Sequence, residues 1–205
     1  MAITSIKTGS SFTNLQKYND FLGPNAAFFP SSFESIATAT GTGSSGTITF
    51  SSIPSTYQHL QIRLLGKITG TGFYRDDLYL RLNSDTGTNY SRHQLQGDGA
   101  SASAGGAASS TYIDCGRIVS SDAAIADTMF TAIIDIHNYA STTQNKTVRI
   151  FAGADGNIAD NSFRVWLGSG AWLNTSAVNS ITFRPASSNS FTTTTSVALY
   201  GIKGA

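Results

Sequence analysis

Residues Ile48 to Leu65 read ITFSSIPSTYQHLQIRLL. Thr47-Ile48-Thr49-Phe50 alternates polar and apolar side chains, the period of a strand with one face on a core. Leu60-Gln61-Ile62-Arg63-Leu64 alternates in the same way. Pro54, set among serines and a threonine, separates the two runs. Two short strands divided by a proline turn therefore form the unit, and the rest of the chain repeats it.

Outward from that stretch, Ser35 to Thr40 predicts a first strand, and Gly41 to Gly46 a flexible turn. Asp77 to Asn83 (DLYLRLN) places Leu78, Leu80 and Leu82 on one face, with Tyr79 and Arg81 on the other. Asn89 to Gln96, Thr111 to Gly116, Met129 to His137, Lys146 to Ala152, Phe163 to Leu167, Asn179 to Arg184 and Ser196 to Ile202 complete the strands. Gly97 to Ser110 (GDGASASAGGAASS) is too rich in small residues to fill a core and reads as a mobile surface loop. Gly168 to Asn174 reads as a glycine-flanked aromatic loop. Ser120 to Asp127 reads as a polar connection with one helical turn. About ten or eleven short strands with turn signals between them, and no long helix, predict an all-β protein. The expected architecture is an antiparallel β-sandwich of jelly-roll type with an extended N-terminal arm.

Composition agrees. Of 205 residues 40% are hydrophobic, enough for one core, and 12% are charged, about half the usual share. Glu34 is the single glutamate. Ser, Thr, Asn and Gly supply the surface, as suits strands and turns. A surface so poor in charge suits packing against other protein copies, or contact with sugars. A net charge of +1 offers no electrostatic case for nucleic acid or an acidic membrane. Cys115 is the lone cysteine, which leaves no intrachain disulfide, and it reads as a small buried hydrophobe. No stretch approaches the roughly 20 apolar residues of a membrane span. The opening Met1-Ala2-Ile3-Thr4-Ser5 lacks the basic run and apolar core of a signal peptide, so synthesis in a cytoplasm is expected.

Residues 1 to 32 differ from the 33 to 205 body. Leu15, Tyr18 and Leu22 are spaced for one face of a short helical turn, Phe21 lies among them, and Gly23-Pro24 ends the turn. Phe28 and Phe29 follow, before Pro30. These six residues read as the anchors of a docking arm. The other reading is a tucked first strand.

Candidate chemistry is sparse. His59, His93 and His137 with abundant Ser and Asp make a hydrolase triad on paper, but no nucleophile elbow supports it. His59 reads as a packed or turn-bonding residue. Asp155-Gly156-Asn157 with Asp160 lacks the spacing and closing glutamate of an EF-hand, and Arg75-Asp76-Asp77 reads as surface ion pairing. No metal and no cofactor is expected, and no enzyme. Trp172, Trp166, Tyr74, Tyr79 and Tyr90 are the residues with which a glycan site would be built, since aromatic faces cover the apolar face of a sugar. Trp172 leads because it falls in the presumed loop. Its other reading is a plug at one end of the sandwich or at a subunit interface.

Several pieces together resemble a known group. They are Tyr18-Asn19-Asp20-Phe21-Leu22, Phe33-Glu34-Ser35-Ile36-Ala37-Thr38, the ITFSSIP and YQHLQIR runs of residues 48 to 63, and the ending Ala198-Leu199-Tyr200-Gly201-Ile202-Lys203-Gly204. This resembles small structural proteins of tailed phages, in which such an opening and ending bracket a compact β domain. The resemblance covers roughly residues 33 to 205 and identifies no catalytic residue. It implies a virion component made in the host cytoplasm. The expectation is a tail-associated fibre or adhesin that docks by its arm and meets a host surface glycan, with a capsid decoration (cement) protein as the alternative. The partners implied are other virion proteins and further copies of the chain, most simply as a homotrimer.

Overall fold

The computed structural model describes residues 32–156, 158 and 163–204. Residues Phe33 to Ala205 fall in one compact unit. The expected arm anchors Leu15, Tyr18, Phe21, Leu22, Phe28 and Phe29 lie outside the described residues, as do Asn157 and Asp160.

Among the described residues twelve strands form the body. In chain order they are β1 (Phe33–Thr40), β2 (Ile48–Phe50), β3 (His59–Ile68), β4 (Arg75–Leu82), β5 (Tyr90–Gly97), β6 (Ala102–Ser110), β7 (Ile113–Ser120), β8 (Phe130–His137), β9 (Lys146–Gly153), β10 (Val165–Trp172), β11 (Ile181–Pro185) and β12 (Ser196–Ile202). A 3-10 turn, Ala123–Ile125, is capped by Asp122, which accepts from the Ala124 N–H at 3.0 Å.

Eight of the strands take a jelly-roll order. β1-β12-β3-β8 run side by side in one sheet and β2-β11-β4-β7 in the other. The chain passes between the sheets in the double Greek-key manner of that fold. A short parallel pairing of Lys67 and Ile68 in β3 with Val119 and Ser120 in β7 joins the two. The remaining four strands are two inserted hairpins, β5–β6 between β4 and β7, and β9–β10 between β8 and β11. They pair through β10 and β5 and extend the first sheet to β8-β9-β10-β5-β6.

The core lies between the inner faces. Leu60, Ile62 and Leu64 of β3, Ile134 and Ile136 of β8, and Val148 and Ile150 of β9 meet Leu78, Leu80 and Leu82 of β4, Ile113 of β7, and Ile181 and Phe183 of β11. Period-two alternation in β3, β4 and β8 directs these residues inward. Two lysines are also buried, and each donates to two backbone carbonyls. Lys67 Nζ donates to the Ile125 and Ala126 carbonyls. Lys146 Nζ donates to Gln144 O at 2.7 Å and Thr175 O at 3.1 Å.

Two expected loops are strands. Ala102–Ser110 forms β6, an exposed edge strand held by its backbone ladder to β5. Its small side chains carry no alternation signal, so pairing alone makes it a strand. Gly168 to Trp172 continues β10 rather than ending it. The glycines there make room: a Cβ at Gly170 would lie 2.6 Å from Ile113 Cγ2, and one at Gly168 2.9 Å from Trp166 Nε1.

Candidate functional site

The expected glycan aromatics do not converge. Tyr74 precedes β4 and Tyr79 lies within it. Tyr90 opens β5, and Trp166 and Trp172 both point inward from β10. Trp172 is 1% exposed, and Trp166 and Tyr90 are also core residues. Buried rings offer no face to a sugar, so these three correct the expectation of a binding role. Trp172 instead closes one end of the sandwich. Its ring lies 6.5 Å from that of Tyr90 at an interplanar angle of 21°, and its Nε1 donates to Asp85 Oδ2 at 2.7 Å. Asp85 also accepts from Asn89 Nδ2 and the Gly87 N–H. The Trp172 bond, then that of Asn89, holds the Asp85 carboxyl below the usual carboxylate range. Tyr79 is half-buried and stacks on Tyr112 at 3.6 Å, with the Arg184 guanidinium over its ring and that of Arg92 over Tyr112. Tyr74 is half-buried against the core.

The triad residues are dispersed too. His59 and His137 meet edge to face at 5.1 Å, while His93 sits on β5. His59 Nδ1 accepts from the Asn138 N–H at 3.1 Å, the turn-bonding role expected of it. Burial, and then His137, push the His59 pKa down. Burial pushes the Cys115 thiol well up, which leaves it a poor nucleophile. Among the described residues no group of three or more His, Cys, Asp and Glu could hold a metal ion.

A charged seam runs along β7. Arg92 pairs with Asp114, Arg117 with Asp77 at 3.7 Å, and Arg164 with Asp98 at 3.7 Å. Burial outweighs the Arg92 charge and raises the Asp114 carboxyl to about 6. Arg75 Nε and Arg117 Nε and Nη1 lack hydrogen-bond partners there, but all three atoms are shielded from solvent. The seam packs β7 against the inserted hairpins.

The feature that stands out lies on the outer face of the extended sheet. Strand register sets Ile133 (β8), Phe151 (β9), Leu167 (β10), Leu95 (β5) and Ala104 (β6) side by side in one row. The adjacent row holds Leu65, Thr131, Gly153 and Val165. Phe151 is 60% exposed, Val165 61%, Leu167 57% and Leu95 54%, and Leu65 and Ile133 are only slightly less so. On the other side of the apolar row stand Gln61, Asp135, Arg149, Ser169 and His93. Single exposed hydrophobes are ordinary, but six on one sheet face are not. Two shallow depressions flank the ridge of the row. Arg63, Thr131, Ile133 and Phe151 line one, and His93, Leu95, Arg149 and Leu167 the other.

The sequence carried a signal for this face. Ala132-Ile133-Ile134, Ile150-Phe151-Ala152 and Val165-Trp166-Leu167 are apolar at both parities, the mark of a strand covered on both sides. Compared with protein-family models, with curated proteins and with solved structures, the chain matches none.

Proposed function

We propose that this chain is a non-enzymatic structural subunit of a tailed-phage particle, tail-associated as a fibre or adhesin. The single observation that carries an assembly role is the apolar outer face of β3-β8-β9-β10-β5. A sandwich with its own complete core, and six further hydrophobes gathered on one sheet face, is built to be covered by protein. The phage setting rests on the sequence resemblance of the opening and ending motifs. The tail-fibre reading has the N-terminal arm dock on the tail and the sandwich face the host. The second reading, a decoration protein on the head, uses the same two parts to clamp shell subunits and stabilise them by mass action. Neither assigns sugar binding to Trp172, Trp166 or Tyr90, which are core residues.

Immunogold electron microscopy of purified particles tests the reading. Label on the tail or its fibres supports the first form. Label spread over the head replaces it with the decoration form. Particles that carry no label in either place remove both.

A further inference from the structure

We infer that the outer apolar face is a self-interface, covered by the same face of a second copy related by a two-fold axis parallel to the strands between β8 and β9. The inference rests on the reading that this face is covered in an assembly, and it names the occupant. Its basis is self-complementarity in the register. Such an axis reverses strand order and keeps position along the strands, so a residue of β8 meets the level residue of β9 in the partner, and β3 meets β10. Ile133 then faces Phe151, and Leu65 faces Val165, because Ile133 is level with Phe151 and Leu65 with Val165 across the ladder. Asp135 is level with Arg149, so each acid faces the other copy's base, twice across the axis. Arg63 comes over Leu167, where its alkyl stem covers the leucine. No like charges are opposed. An isologous contact needs this property, that residue i meets j while j meets i.

The size is sufficient. The six hydrophobes present on the order of 500 Å² of apolar side chain, the upper range for a patch on a monomer. With the flanking polar rows this fits the roughly 800 Å² that each partner gives to a stable interface. Packed sheets run within about 30° of each other, so the facing pairs hold near the axis and splay at the rim. The central pairs, Ile133 with Phe151 and Asp135 with Arg149, therefore carry the contact.

The test is the mass of the full chain by sedimentation equilibrium, for wild type and for three variants. Phe151→Asp alters a residue 60% exposed in the protomer, so the fold, checked by circular dichroism, is retained. The expected result is a wild-type dimer whose dissociation constant rises at least about thirtyfold in Phe151→Asp. Asp135→Arg alone weakens the dimer by placing like charges face to face, and Asp135→Arg with Arg149→Asp restores it. Asp135 and Arg149 are also level neighbours within one protomer, so circular dichroism of Asp135→Arg is read beside its mass: a native spectrum with a lost dimer places the effect at the interface, and an altered spectrum places it in the protomer. A wild-type monomer at about 100 μM overturns the inference, as does a trimer, or any oligomer that the variants leave unchanged. Label on particles formed by a monomeric protein would leave the assembly role standing with another protein on this face, so the two failures are distinguishable.

Discussion

Replacing Trp172 by alanine separates a binding aromatic from a structural one. The indole is 1% exposed, lies over the Tyr90 ring and donates to Asp85 Oδ2 at 2.7 Å. Emptying a buried tryptophan site costs about 3–5 kcal/mol, because the surroundings collapse only in part. Asp85 keeps Asn89 Nδ2 and the Gly87 N–H. Loss of one charge-assisted bond therefore adds about 1.5–3 kcal/mol. The two together reach about 4.5–8 kcal/mol, comparable with the whole stability of a typical domain at about 5–15 kcal/mol. Trp172→Phe keeps most of the volume and drops the N–H, so its cost should be dominated by the Asp85 bond. Urea unfolding of the full chain, followed by circular dichroism, gives both values. The expected order is wild type, then Trp172→Phe, then Trp172→Ala, with the last partly unfolded before denaturant is added. A Trp172→Ala midpoint within experimental error of wild type would refute the assignment of Trp172 to the core.

Three further outcomes are expected. Lys146→Met keeps the buried stem but leaves the Gln144 and Thr175 carbonyls without their donor, lowering stability by about 2–3 kcal/mol in the same urea assay. Gly116 has φ +102° where the β4–β7 ladder shifts register, so Gly116→Ala costs about 1–3 kcal/mol through backbone strain, measured as a lowered Tm. Two groups oppose each other in pH dependence. The His59 pKa is depressed by burial and by His137, so its contribution is full above the ordinary histidine range and is lost on acidification. Asp114 is raised to about 6, so its contribution is full at low pH and is lost as pH rises through about 6. Tm measured from pH 5 to 8 should therefore fall with rising pH in His59→Asn and rise with pH in Asp114→Asn. Identical slopes in the two variants would contradict the assignment.

Strand periodicity was legible where one face is core and the other polar. DLYLRLN reads as β4 because Leu78, Leu80 and Leu82 are inward. It failed at Ala102–Ser110, where alanine, serine and glycine look alike on either face and the strand exists through its ladder to β5. It failed again at Gly168 and Gly170, read as loop glycines. They are clearances in a strand, needed for Trp166 and for Ile113 from β7. The role of Trp172 depends on Asp85, 87 positions away in the chain, a pairing that no local pattern reports. The outer face was visible as doubly apolar runs, yet joining them needs the order β8-β9-β10-β5, in which β5 returns beside β10 from far earlier in the chain. Candidate aromatics chosen for their chemistry were mostly core for the same reason: burial is a property of the whole fold.

The position of β12 between β1 and β3 has a consequence for how the protein is made. The seven residues of β12 supply the ladder for the first strand of the body, so the chain emerging from a ribosome holds β1 without its partner until Ser196–Ile202 has been made. Pairings this distant in sequence close late. Until Ser196–Ile202 is free of the exit tunnel, β1 and one edge of β3 remain open to strands of neighbouring nascent chains. Premature truncation anywhere before Ser196 therefore yields an aggregation-prone species rather than a smaller version of the fold.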